Sequence, residues 1–241
     1  MPSSKQTQDE TPQVDPRLAV LNRLGQKQRD LTIEDVRLLI STISNFFCDH
    51  LIAAGFDRRK VRAIATKLRD AGRRSPPWRP ASGRVPGRPQ DGADGNRRLR
   101  WLFNQDHKFY ADEMNATLVE VRYYLQALSM KNAPPVPPNT IQDSFKWLTG
   151  HRIIPGEYLD PLQLEPIDLA EFLENPRYVE SGHIVPLDRA GRHEPSNAFL
   201  SLARSNKLQG NLTIDELLEL MTRIVEEHKK SKKGDEELLR S

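Results

Sequence analysis

The chain has 241 residues, 37% apolar and 29% charged, with a formal net charge of +3. No apolar run is expected to span a bilayer. The polar opening MPSSKQTQDETPQVD lacks the basic and apolar regions of a signal peptide, so residues 1–15 read as a disordered tail and the chain as cytoplasmic. Cys48 is the single cysteine, which excludes an intramolecular disulfide and a cysteine-built zinc site.

Residues 16–131 read as a largely helical, DNA-binding region. In TIEDVRLLISTISNFFCDHLIAAG, Val36, Leu39, Ile40, Ile43, Phe46, Phe47, Leu51 and Ala54 recur at helical spacing. Thr32 suits the N-cap and Gly55 the C-terminal close. The apolar face of this helix serves a core or a dimer interface equally well. Asp57 then opens DRRKVRAIATKLRDAG, a basic helix with Val61, Ile64, Ala65 and Leu68 inward and Arg58, Arg59, Arg62 and Arg69 outward. Residues 73–96 are too rich in Pro and Gly for a helix or a central strand and read as a basic loop carrying Trp78. From Arg58 to Arg100 there are fourteen Lys and Arg against three acids, a block that attracts polyanions by releasing their condensed counterions.

FYADEMNATLVEVRYYLQAL fits either a helix-turn-helix or simple helical packing. In the first case Asn115 makes the turn, and Thr117 with Glu120 forms a capping box for a second helix presenting Glu120, Arg122, Tyr123 and Gln126. Arg122 is then a candidate DNA contact. NAPPVPPN, residues 132–139, reads as a proline-rich linker. Residues 140–232 follow as a second domain with short helices in TIQDSFKWLTG and IDLAEFLEN. A longer helix opens on the capping box Thr213–Glu216, with Leu217, Leu218, Met221, Ile224 and Val225 as its expected buried stripe. Residues 233–241 read as a frayed tail.

Residues 178–211 carry the chemistry. YVESGHIVPL reads as a strand, DRAGRHEPSN as a polar loop with a Gly turn, AFLSL as a second strand, and ARSNKLQGN as the start of a helix. His183 closes the first strand, Asn197 follows fourteen residues later, and Asn206 nine residues after that. Taken alone, His183 is a structural histidine and the asparagines are turn and surface residues; the ordered spacing gives them a role. His193 reads as a polar loop residue, a substrate contact or plain surface. His151, in the similar run GHRIIPG, has no asparagine at the matching distance and reads as structural.

In this stretch the sequence resembles the HNH, or ββα-metal, endonucleases: HIVPL, RAGRH, PSN, RSN and QGN occur in the family's order and spacing. The resemblance covers about 34 residues. It implies an α+β fold, with a mostly helical N-terminal region followed by a C-terminal ββα-metal core. It also implies a phosphodiester hydrolase using one divalent cation, Mg²⁺ or Mn²⁺, on double-stranded DNA. His183 is the implied general base, since an imidazole titrates near neutrality. Asn197 is the implied residue that bridges the loop and holds His183. Asn206 is the implied metal ligand, with the cation neutralising charge on the scissile phosphate. Arg189, Arg192, Arg204 and Lys207 lie near enough in sequence to meet phosphates.

One position departs from the pattern. The residue before the base is normally a ligand, and here it is Gly182. Glu180, two residues back on the same strand face, is the first substitute and Glu165 the second. The implied class is a type II restriction enzyme, or a related phage or mobile-element nuclease, with a homodimer as candidate partner arrangement because two strands need two sites. Two rivals stand beside it: a DNA-binding protein whose nuclease core has lost its metal, and a protein–protein adaptor in which the motif match is accidental.

Overall fold

The computed structural model describes residues 14–75 and 97–238, with side chains to Ser231. The expectations for residues 1–13, for the loop over 76–96 with Trp78, and for 239–241 lie outside the described residues. The architecture is α-rich with one small antiparallel sheet, in keeping with an α+β fold.

Helix α1, Pro16–Lys27, starts where Pro16 meets the Asp15 cap and turns Leu18, Leu21 and Leu24 into the core. Its sequence signal, missing from the expectations above, is the DP pair with the leucine spacing. Helix α2, Ile33–Ala53, starts at a reciprocal capping box between Thr32 and Asp35. It ends before Gly55, whose φ of 94° suits a residue without Cβ. By length and composition α2 could cross a membrane, contrary to the expectation that no segment could. In the fold, Val36, Leu39, Ile40, Ile43, Phe46, Phe47 and Leu51 are all buried in the shared core. That burial takes up the face offered above as a dimer surface.

Helix α3, Arg58–Arg73, is capped by Asp57 through the Lys60 amide at 2.8 Å. Val61, Ile64 and Leu68 are buried, while Arg58, Arg59, Arg62 and Arg69 stay exposed, as the spacing predicts. Helix α4, Glu113–Leu128, corrects the helix-turn-helix reading. It is one continuous helix, and Asn115 lies in its first turn, donating its amide to the Asp112 cap at 2.8 Å. Its packing against α2, α3 and the sheet buries Glu120, Tyr123 and Gln126, the side chains expected at a recognition surface. Gly72 is the reason α3 can lie so close: a Cβ there would stand 2.5 Å from the Glu120 Cβ.

Residues 132–139 pack on the same core, with Ala133 and Val136 buried. The helix expected in 140–150 shrinks to one turn, α5, Lys146–Thr149. Helix α6, Leu169–Glu174, follows its Asp168 cap. Strands β1, Val179–His183, and β2, Ala198–Leu202, pair antiparallel with Gly182 opposite Phe199 and His183 opposite Ala198. Helix α7, Ala203–Gln209, follows directly. The β2–α7 corner is held by Asp160, fully buried, whose carboxylate accepts from the Leu202 amide and the Ser205 hydroxyl, each at 2.8 Å. A buried carboxylate with this many donors is stable where an unpaired one is not. Helix α8, Ile214–Leu238, begins at the Thr213–Glu216 capping box and runs on through 233–238. Its expected apolar stripe is a correction: only Leu217 is buried, while Leu218, Met221, Ile224 and Val225 are exposed because the helix leaves the body after its first turn.

Candidate active site

The loop between β1 and β2 is closed by one side chain. Asn197 accepts from the Val185 amide at 2.8 Å and donates to the carbonyls of Val185 at 3.0 Å and Arg192 at 2.8 Å. Its own carbonyl accepts from the Ile184 amide at 2.9 Å. Asn197 bridges the loop as expected, but it grips Val185 and not His183. Inside the turn, Gly191 is required by closeness: a Cβ would stand 1.9 Å from the Val185 carbonyl oxygen.

The His183 backbone is held from the other side. Gln209 of α7, almost fully buried, donates to the His183 carbonyl at 2.7 Å and also reaches the Leu212 carbonyl at 3.1 Å. No sequence signal singled out Gln209 beyond its place in QGN. The His183 ring meets a second histidine: its Nε2 lies 3.0 Å from His193 Nδ1, and His193 Nε2 lies 2.6 Å from the Gly72 carbonyl oxygen. His193 is 1% exposed, so it is neither a surface residue nor an accessible substrate contact. Burial pushes the His183 pKa down to about 3, with the charge of Arg100 adding to the effect. Burial likewise holds His193 well below the usual range. Both rings are therefore neutral at neutral pH.

Arg100 is itself buried. It donates from Nε to the Gly72 carbonyl at 3.2 Å and from Nη1 to the Phe109 carbonyl at 3.3 Å. Desolvation lowers its pKa to about 10, which leaves it charged at neutral pH. His183 and Arg100 line a cleft of about 640 Å³ together with Lys67, Asp70, Arg97 and Ser181. A second cleft, of about 450 Å³, is lined by Gly182, His183, Asn206, Gln209, Lys108 and Asp188.

On the face of β1 toward α7, Asn206 donates from Nδ2 to Glu180 Oε2 at 2.8 Å. The two-residue spacing thus brings the first substitute ligand beside the expected one. Glu165, the second substitute, is paired with Arg204 instead. Gly182 lies between them in an informative way. A Cβ there would stand 3.3 Å from Asn206 Oδ1, but also 2.7 Å from the ring of Phe199, its partner across the sheet. The direction in which a ligand would project is thus occupied by an aromatic ring. Among the described residues no group of three or more His, Cys, Asp or Glu side chains could hold a metal. The donors that remain, the Glu180 carboxylate and the Asn206 carbonyl, are the oxygen type that Mg²⁺ and Mn²⁺ accept. Mg²⁺ commonly takes one or two protein ligands and completes its shell with water and substrate phosphate.

The expected phosphate contacts divide three ways. Arg58, Arg59, Arg62, Arg192 and Lys207 are exposed. Arg189 and Arg204 are exposed but ion-paired, with Glu216 and Glu165. Arg122 is a correction: it is half-buried in α4, and its Nε is buried without a hydrogen-bond partner among the described residues. Its placement follows from the single helix that replaces the expected helix-turn-helix. His151 is structural, as expected, with Nδ1 2.8 Å from the Arg152 carbonyl oxygen and its ring against Tyr158.

No protein-family model matches the sequence, and no curated protein matches it. Among solved structures, the chain is similar to one described as the crystal structure of a type II restriction endonuclease. That similarity has a TM-score of 0.43 at 20% identity and covers 51% of this chain and 55% of the other, about half of each.

Proposed function

We propose that the chain is a metal-dependent endonuclease of the HNH kind, hydrolysing phosphodiester bonds in double-stranded DNA as a type II restriction enzyme does. The carrying observation is the strand–loop–strand–helix order over 179–209, in which Gly182, His183 and Asn206 line one cleft and Asn206 bonds Glu180. His183 is largely buried but reaches the cleft, and its neutral ring keeps a free lone pair for the proton of an attacking water. It is a weaker base than a free imidazole because burial lowers its pKa. Asn197 and Gln209 fix the backbone on both sides of it, so the ring approaches substrate in one orientation. Glu180 and Asn206 would hold Mg²⁺ or Mn²⁺, which when bound supplies Lewis-acid stabilisation of the phosphate. Arg58, Arg59 and Arg62 on α3, with Arg192 and Lys207 beside the site, supply cations for the DNA backbone. Pairing of two copies, so that each strand meets one site, and cytoplasmic residence belong to the same proposal.

Plasmid cleavage with Mg²⁺ or Mn²⁺ tests it. Loss of a general base is expected to slow cutting by about 10²- to 10⁴-fold in His183→Ala. Equal cutting by wild type and His183→Ala removes His183 as the base. One observation favours a second reading, a DNA-binding protein with a lapsed nuclease core: the Phe199 ring stands where a ligand at 182 would project. No cutting by the wild type with either cation, together with salt-sensitive DNA binding, selects that reading.

A further inference from the structure

His193 is a buried imidazole that the reading above does not use. Its hydrogen bonds have a forced direction. The Gly72 carbonyl can only accept, so the His193 nitrogen facing it at 2.6 Å, Nε2, must carry the proton. A neutral imidazole has one N–H, which leaves His193 Nδ1 as a bare lone pair. The nitrogen 3.0 Å away, His183 Nε2, must then donate. Among the described residues nothing hydrogen-bonds His183 Nδ1. The anchor is stiff as well. Gly72 packs so tightly on Glu120 of α4 that a Cβ there would stand 2.5 Å from the Glu120 Cβ, and its carbonyl also accepts from Arg100 Nε at 3.2 Å.

We propose that His193 is a positioning residue that holds His183 as the Nε2–H tautomer, leaving Nδ1 as the proton-accepting atom. The same chain of bonds ties that atom to the last turn of α3, the helix whose outer face carries Arg58, Arg59 and Arg62. A hydrogen-bond partner that fixes a histidine tautomer in this way is a general device. The role in cleavage rests on the reading of His183 as the base; the tautomer does not.

Nitrogen-15 NMR of the histidine rings in the full-length protein tests it directly. The expected result is Nε2–H for both His183 and His193 in the wild type. His193→Gln keeps an acceptor for His183 and a donor for Gly72 and is expected to preserve the His183 tautomer. His193→Leu removes both and is expected to leave His183 as a tautomeric mixture. In plasmid cleavage, His193→Leu is expected to lower kcat by about 10- to 100-fold with an unchanged KM for DNA, and His193→Gln to recover most of the loss. A wild-type His183 protonated on Nδ1, an unaltered tautomer in His193→Leu, or undiminished cutting by that variant overturns the proposal. Should His193→Leu not fold, the wild-type spectrum decides alone. A wild type that cuts no DNA while its tautomer follows residue 193 refutes the nuclease reading and leaves the positioning role standing.

Discussion

At the scale of single residues, Gly182 and Phe199 meet across the two strands, leaving no room for a side chain at 182. Placing an acid at 182 puts a Cβ 2.7 Å from the Phe199 ring, so Gly182→Asp is expected to destabilise the fold by about 1–3 kcal/mol, read by urea denaturation. Gly182→Asp with Phe199→Ala opens the space beside Asn206, and titration with Mn²⁺ is expected to show tighter binding than wild type. Glu120 gives a second residue-scale test. Its carboxyl is buried and its pKa is pushed up to about 7 by desolvation, with the charge of Arg73 opposing the shift. A carboxyl whose folded pKa lies above its unfolded value of about 4.3 favours the fold fully below the lower value. That advantage is lost as pH rises toward the upper value. Stability of wild type relative to Glu120→Gln is therefore expected to fall by ~1–3 kcal/mol between pH 4 and pH 7 and then level off. A flat difference across that range would mean that Arg73 cancels the burial. Glu120 was misjudged from sequence because Thr117 and Glu120 have the spacing of a capping box. Nothing local tells such a pair from one inside a longer buried helix.

At the scale of elements, α3 joins two roles. Its outer face is arginine-rich, and its last turn supplies the carbonyl under His193. If Arg58, Arg59 and Arg62 each meet a phosphate, replacing one with Gln is expected to reduce the slope of log K against log salt by about 0.9. Fluorescence anisotropy with a DNA duplex at several salt concentrations measures that slope. An unchanged slope in all three variants places the DNA elsewhere. The helices α2 and α3, with their Thr32 and Asp57 caps, were legible because cap and period agree over a long segment. Strand β2 and helix α7 are short and α7 has no side-chain cap, so they were legible from the apolar run AFLSL and the order of the motif that follows it. The segment 109–128 was not, because its polar residues pair with groups far along the chain, Gln126 with the Leu200 amide among them.

For the whole molecule, one apolar core runs from α1 to β2, and α8 stands apart from it after Leu217. A helix with so few tertiary contacts opens locally at low cost. Ending the chain after Val225 is expected to change stability by less than about 0.5 kcal/mol in urea denaturation, and amides beyond Met221 to exchange fastest among the helices. A larger loss of stability would show that α8 is part of the cooperative unit.

The sequence alone determined the order of strand, loop, strand and helix over 178–211. It also determined the spacing of His183, Asn197 and Asn206 and the basic outer face of α3. These depend on periodicity, caps and turn residues, which act over a few positions. Only the tertiary structure decided that His193 is buried between His183 and Gly72, that Phe199 fills the space beside Gly182, and that Arg122 is half-buried with its Nε enclosed. Each of these follows from contacts across elements, between α3 and the β1–β2 loop or between paired strands. Close packing fixes such contacts, and no local pattern encodes them.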